Sequence, residues 1–153
     1  MSELLFDKAK VAFVQGKFEE AEQAFGEMIA LQPKNALVYF SRGTARFNLK
    51  NFEGAIEDFS SALGIETRNE KIYCSRATAY LALGKTEEAM EDYNKAIEMN
   101  EFYPNAYFGR AEIFTRLGEK EQARMDLEVG NTIQRKLGQS HLETQGFMFQ
   151  EPQ

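Results

Sequence analysis

The sequence predicts an all-α protein, a solenoid of four stacked helical hairpins. Three observations carry that expectation. Small residues recur every 34 residues, as Ala21, Ala55, Ala89 and Ala123, and again as Ala9, Gly43, Ala77 and Ala111. Large apolar residues keep the same period: Leu5, Tyr39, Tyr73, Tyr107; Phe25, Phe59, Tyr93, Leu127; and Leu31, Ile65, Met99, Ile133. Turn residues fall between them at Gly16, Gly84 and Gly118, with Lys50-Asn51 replacing the glycine in the second unit. A fixed period of roughly 20–50 residues marks a repeat architecture. Four units follow without insertion, 2–35, 36–69, 70–103 and 104–137, making one domain over 1–137 and a C-terminal extension over 138–153.

Each unit reads as two helices. In the second unit Tyr39, Phe40, Gly43, Phe47 and Leu49 share one broad helical side, and Asn51 then supplies a break. Phe52, Ala55, Ile56, Phe59, Ala62 and Leu63 follow at spacings of three and four, the pattern of an amphipathic helix. Glycine or asparagine at the break tolerates the left-handed backbone that ends a helix. Carried through the chain, this predicts helices near 3–15, 18–31, 36–49, 52–65, 70–83, 86–99, 104–117 and 120–137, with Gly138 ending the last and no strand. Ala or Gly at mid-helix lets two backbones approach, and aromatics fill the space above and below. A hairpin of this size buries its apolar face only by stacking on the next.

Bulk properties narrow the function classes. The chain has 153 residues, a net charge of −6 and 27% charged residues, ordinary values for one globular domain. An acidic protein repels phosphate, so neither nucleic acid nor an anionic membrane is an expected partner. No stretch approaches the roughly 20 apolar residues of a membrane span. The opening MSELLFDKAK carries acids before any apolar run, unlike a secretory signal. Cys74 is the single cysteine, which rules out an internal disulfide framework. A reduced, cytoplasmic setting is the expectation.

The order large, small, aromatic in the first helix and Ala, aromatic, Ala in the second resembles the tetratricopeptide repeat family over about residues 2–137. The runs YFSRGTARF, YCSRATAY and YFGRAEIF are most similar to the arginine-containing variety common in bacterial proteins. The resemblance implies a right-handed α-α superhelix that binds another polypeptide. Departures are present. Of the closing prolines only Pro33 is found, with Thr67, Glu101 and Arg135 elsewhere, and Gly130-Asn131 replace the usual Ala and aliphatic residue in the fourth unit. End repeats of solenoids commonly diverge in this way.

Arg42, Arg76 and Arg110 share one place in the first helices of units two to four, and Asp58, Asp92 and Asp126 share one in the second helices. The first unit has Lys8 and Ala24 there, lacking both. Joint presence and absence favours Arg–Asp pairs inside each hairpin, since a carboxylate matches the planar guanidinium fork. The alternative is an arginine row that reads acidic ligands.

No catalytic constellation emerges. His141 is the sole histidine, so neither a His–His metal pair nor HExxH exists, and no GxGxxG or GxxxxGK[ST] phosphate loop occurs. Glu19-Glu20 and Glu87-Glu88 read as solvated helix faces, and Cys74 as a small apolar residue. An enzyme is not expected, nor a cofactor or metal.

The concave side of a solenoid is the expected binding surface. In the family's repeats the groove-facing places correspond here to Phe6, Lys10, Phe13, Phe40, Thr44, Phe47, Cys74, Thr78, Leu81, Phe108, Glu112 and Thr115. With the Tyr and Ala rows assigned to the core, the rows Phe6–Phe40–Cys74–Phe108 and Phe13–Phe47–Leu81 are expected to form an exposed apolar groove for a peptide. The carboxylate clamp of chaperone-binding relatives is missing: its places hold Phe6, Lys10, Ser41, Lys71 and Ser75, or Phe40, Thr44, Ser75, Asn105 and Gly109 one repeat on. Phe147, Met148 and Phe149 form an apolar cluster in the tail, which suits disorder, packing over the last repeat, or entry into a neighbour's groove. Two functions stand: an interaction module or adaptor holding a partner segment, and a self-assembling homo-oligomeric scaffold.

Overall fold

The computed structural model describes the chain from Ser2 to Thr144, so the tail cluster at 147–149 lies outside the described residues. Eight helices occupy this span: α1 Ser2–Val14, α2 Phe18–Leu31, α3 Ala36–Asn48, α4 Phe52–Ile65, α5 Glu70–Ala82, α6 Thr86–Met99, α7 Pro104–Leu117 and α8 Lys120–Thr144. No strand is present among the described residues. They pair as α1–α2, α3–α4, α5–α6 and α7–α8, and the second helix of each hairpin stacks on the first helix of the next. The result is a right-handed superhelix of four hairpins in the 34-residue frame.

Local chemistry explains the boundaries. Gly16, Gly84 and Gly118 take φ of 73°, 74° and 78°, the left-handed conformation that stops a helix. In the second hairpin Lys50, not Asn51, adopts it, with φ 61°. Asn51 instead caps α4, its side-chain oxygen accepting the Gly54 N–H. Asn35 and Asn69, one period apart, cap α3 and α5. Tyr103 at the next period offers no such bond, and Pro104 sits in the first turn of α7, where a missing N–H costs nothing.

The last helix departs from expectation. Gly138 does not end it; α8 continues to Thr144. A glycine stops a helix only where the chain turns into the left-handed region. Inside a helix it costs about 1 kcal/mol relative to Ala, which a run with Gln139, Ser140 and His141 still available to form backbone bonds absorbs.

Packing is set by the small-residue rows. Ala9, Ala21, Ala55, Ala77, Ala89 and Ala111 are all buried where the two helices of a hairpin cross. The rings between them then dictate where even alanine is too large. An added Cβ at Gly43 would sit 2.8 Å from the Phe59 ring, and at Gly130 2.6 Å from the Phe108 ring. At Gly109 it would collide with the Tyr93 ring. The unusual Gly130 of the fourth unit is therefore an accommodation to Phe108. Gly26 differs, because a Cβ there meets only Arg42 Nη1 at 3.7 Å, an ordinary contact.

Opposite outcomes follow for two glycines. Gly109→Ala is expected to destabilise by about 3 kcal/mol through overpacking against Tyr93. Gly26→Ser is expected to stabilise by about 0.5–1.5 kcal/mol, from helix propensity and a new acceptor for Arg42. Urea unfolding followed by circular dichroism measures both.

Candidate peptide-binding surface

The recurring charges are structural. Arg42 Nε and Nη2 donate to Asp58 Oδ2 and Oδ1 at 2.9 and 2.7 Å. Arg76 grips Asp92 at 2.7 and 2.8 Å, and Arg110 grips Asp126 at the same two distances. All three aspartates are buried. The remaining guanidinium nitrogen reaches back one hairpin: Arg76 Nη1 donates to Ser60 Oγ at 3.0 Å and Arg110 Nη1 to Asn94 Oδ1 at 2.9 Å. The equivalent residue for Arg42 is Gly26, which has no side chain to accept. There Arg46 makes the link, pairing with Glu22 at 2.8 Å and with Asp58 at 3.2 Å. Hydrogen bonding to the carboxylates raises the pKa of Arg42, Arg76 and Arg110 further, so each stays charged. With their nitrogens so engaged, the row is not an acidic-ligand reader.

These arginines also claim the tyrosines. Arg76 stands 5.7 Å from the Tyr73 ring and 5.9 Å from Tyr80, and Arg110 stands likewise between Tyr107 and Phe114. Tyr107 and Tyr73 donate their hydroxyls to the Glu101 and Thr67 carbonyls. Tyr73 and Tyr107 thus stack on guanidinium groups, while Tyr39 and Tyr73 also pack half-buried against the core, so the row fills the edge of the core rather than its centre.

The phenylalanine rows do part of that work. Phe6 packs on Phe25, Phe13 on Phe18, Phe40 on Phe59 and Phe47 on Phe52, with ring centroids 5.2–6.3 Å apart. Phe6, Phe13, Phe40, Phe47 and Phe108 are half-buried, each with one side left open. Cys74 and Leu81, by contrast, are buried in the core of the third hairpin. The two rows are therefore not continuous exposed stripes; they close over in the third hairpin because smaller Cys74 and branched Leu81 sink between α5 and α6.

First helices of successive hairpins touch, α3 with α5 and α5 with α7, which places them on the shorter, concave arc. The hydroxyls there are internally committed. Thr44, Thr78 and Thr115 each donate to the carbonyl four residues back, Phe40, Cys74 and Ala111, at 2.8–2.9 Å. Since Thr78 spends its proton on Cys74, the 3.0 Å contact with Tyr93 is donated by the tyrosine. Glu112 is exposed and paired with Arg116 at 2.5 Å. Lys10 holds its ammonium 5.5 Å from the Phe6 ring.

One recess breaks this surface. A cavity of about 300 Å³ opens between the first two hairpins, lined by Phe13, Phe25, Phe40 and Val14 with Lys10, Ser41 and Thr44 at its edge. It gathers Lys10, Phe13, Phe40 and Thr44 of the predicted groove residues. Thr78, Glu112 and Thr115 instead lie along the polar C-terminal half. Val14, Phe25 and Ser41 were not foreseen. Val14 had a signal, being an apolar residue where the other units carry Asn48, Ala82 and Arg116.

Comparison with known proteins agrees with this architecture. A tetratricopeptide repeat profile matches residues 6–69, and a second, described as TPR repeat, matches 77–118. The first TPR domain of human RPAP3 is 31% identical, with a TM-score of 0.73, covering 79% of this chain and 95% of that one. The chain belongs to the tetratricopeptide repeat family. The first TPR of Spaghetti (RPAP3) bound to HSP90 peptide SRMEEVD is 30% identical with a TM-score of 0.73, over 76% of this chain and 93% of that one. MamA shares the fold, with a TM-score of 0.83 at 20% identity over 90% of this chain and 81% of its own. Among curated proteins nothing matches.

Within this TPR domain the Cys74 thiol and the Tyr93 hydroxyl are held in their protonated forms. Burial first, then the charges of Glu70 and Asp92, pushes the Cys74 thiol up to about 12. Burial likewise pushes Tyr93 to about 12, against the lowering effect of its bond to Thr78. Among the described residues no group of three His, Cys, Asp or Glu is placed to hold a metal ion.

Two measurements follow. Both raised groups bind protons more tightly when folded, so their contribution to stability is intact below the ordinary values of 9.0 and 10.0 and is lost as pH rises towards 12. Melting temperature is therefore expected to fall above about pH 9, less so in Cys74→Ala with Tyr93→Phe. Separately, Asp92→Ala is expected to cost about 2–4 kcal/mol by leaving Arg76 without its carboxylate in a half-buried site. Chemical denaturation reads that loss.

Proposed function

We propose that this chain is a peptide-holding adaptor whose concave face takes an apolar-bearing segment of a partner protein, with one side chain of the ligand seated in the recess between the first two hairpins. Membership of a family of interaction modules supports the general role. The observation that carries the specific one is the cavity walled by Phe13, Phe25 and Phe40. A volume of about 300 Å³ suits one large apolar side chain, and buried aromatic anchors of this kind dominate binding energy. Lys10, Ser41 and Thr44 at the rim orient the ligand, and the polar surface at Thr78, Glu112 and Thr115 accommodates its hydrophilic continuation.

A related RPAP3 domain holds the acid-rich peptide SRMEEVD. Here the clamp places hold Phe6, Lys10, Ser41, Lys71 and Ser75, which leaves two cations and no asparagine for a terminal carboxylate. We therefore assign this groove to an amphipathic helix or an extended apolar segment rather than to a carboxylate terminus. The lone buried thiol of Cys74 suits a cytoplasmic setting. No helix among the described residues is long and apolar enough to cross a membrane.

The test fills the recess rather than emptying it, because Phe40 and Phe47 also pack on Phe59 and Phe52. Peptides selected by phage display on the intact chain are expected to share a large apolar anchor. Ser41→Arg is expected to weaken their binding at least about tenfold, with the thermal melt unchanged. Selected peptides that ignore Ser41→Arg, or that share an acidic C-terminus instead, overturn the assignment.

A further inference from the structure

The two ends of the solenoid are built differently, and the difference points to a partner. Leu4 and Val11 in α1 are 75% and 55% exposed. One period on, Leu4 corresponds to Val38, Ile72 and Ala106, which are 0–2% exposed, and Val11 to Ala45, Ala79 and Ile113, all 0%. In the later hairpins these positions press against the preceding hairpin's second helix. On α1 they have the same apolar character, and no other described residue covers them. Two depressions of about 440 and 510 Å³ flank Leu4, one beside Lys8 and Leu31, the other beside Val11 and Gln15. Together they form the ridge-and-groove relief that a second helix fills.

The opposite end is mixed, with Leu127 44% exposed among polar and charged neighbours. Where α4 and α6 carry Ile56 and Met90, α8 has Arg124 (α2 has Glu22); where α2, α4 and α6 carry Ile29, Leu63 and Ile97, it has Asn131. Arg124 is bound to Glu121 and Glu128 on the same helix. Head-to-tail stacking, which would grow an open filament, would bury Arg124, Glu128, Asn131 and Arg135 around Leu127 and is the less favoured contact.

The exposed stripe of α1 is complementary to itself in reverse. It reads Leu4, Asp7, Lys8, Val11: apolar, acid, base, apolar. Two such helices packed antiparallel about a two-fold axis between residues 7 and 8 place Leu4 against Val11 of the other copy and Asp7 against Lys8, twice over. Asp7 and Lys8 have no ion-pair partner among the described residues.

We propose that α1 is a homodimerisation surface, closing two copies head to head through an antiparallel α1–α1 contact while both concave faces stay open. A single helix pair lies below the roughly 1,200 Å² of stable interfaces, so the dimer is weak and concentration-dependent, in the micromolar range or above. This goes beyond the groove, and its test needs no groove ligand.

Sedimentation velocity of the full chain across a wide concentration range tests it, with circular dichroism to confirm folding of each variant. Asp7→Lys alone and Lys8→Asp alone are expected to weaken the dimer at least about tenfold each by opposing like charges. The double variant Asp7→Lys with Lys8→Asp is expected to restore it. An equimolar mixture of the two single variants is expected to form a heterodimer, since lysines then face aspartates throughout. Val11→Glu is expected to abolish association. A chain that stays monomeric at all concentrations overturns the proposal, as does a dimer indifferent to these charges. A dimer that survives the α1 variants but is lost when the chain ends at Thr144 assigns the contact to the tail and overturns it too.

Discussion

Close approach of two helix backbones at the alanine crossing of each hairpin is the constraint from which the other features follow. Ala9 with Ala21, Ala55, Ala77 with Ala89, and Ala111 are buried there. With the axes drawn so near, large rings must lie beside the crossing, and each ring fixes the size of what faces it. Phe59 requires Gly43, Tyr93 requires Gly109, and Phe108 requires Gly130. Interiors packed at crystal-like density leave no room for one extra methyl at such points. Glycines that look like decay of a repeat pattern are here the complement of a particular ring in the facing helix.

The same closeness brings an arginine on the first helix within reach of an aspartate on the second, 16 residues on, in three of the four hairpins. Burying a charge is unfavourable unless it is paired and its remaining hydrogen-bonding capacity is met. The bidentate grip meets most of it, and Ser60 and Asn94 of the preceding hairpin take a further N–H. One side chain thereby ties its own hairpin and fixes the rotation of that hairpin on its neighbour. Apolar stacking supplies the bulk of the stability, and the guanidinium geometry selects the register.

Much of this was legible because periodicity is a property of residue identity alone. The 34-residue frame, the hairpin boundaries and the Arg42–Asp58, Arg76–Asp92 and Arg110–Asp126 pairs could all be read by aligning the chain with itself. What could not be read was side-chain direction. The tyrosine and phenylalanine rows lie one residue apart, and the choice of which faces the arginine depends on rotation about the helix axis. Cys74 and Leu81 match groove positions by number, yet sink into the core because they are smaller than the rings they replace. The end of α8 escaped for a related reason: Gly138 stops a helix only if the following chain turns away, and the following residues continue it. The recess at Phe13 and Phe40 arises between two hairpins, so no pattern within one repeat announces it.

The first hairpin stands apart in a way that joins the surfaces described. It alone lacks the arginine clamp, with Lys8 and Ala24 at those places. Its two helices are joined by the Phe6–Phe25 and Phe13–Phe18 ring contacts, which are less directional than a bidentate ion pair. The same helix α1 supplies Lys10, Phe13 and Val14 to the recess on one side and Leu4 and Val11 to the solenoid's end on the other. An element with fewer directional restraints has more conformations to lose when a partner packs on either side. Whatever orders α1 from its outer face removes part of the entropy that a groove ligand would otherwise have to overcome, and thermodynamic linkage makes the effect mutual. With the proposed recess and the proposed assembly face on opposite sides of this helix, occupation of one would favour occupation of the other.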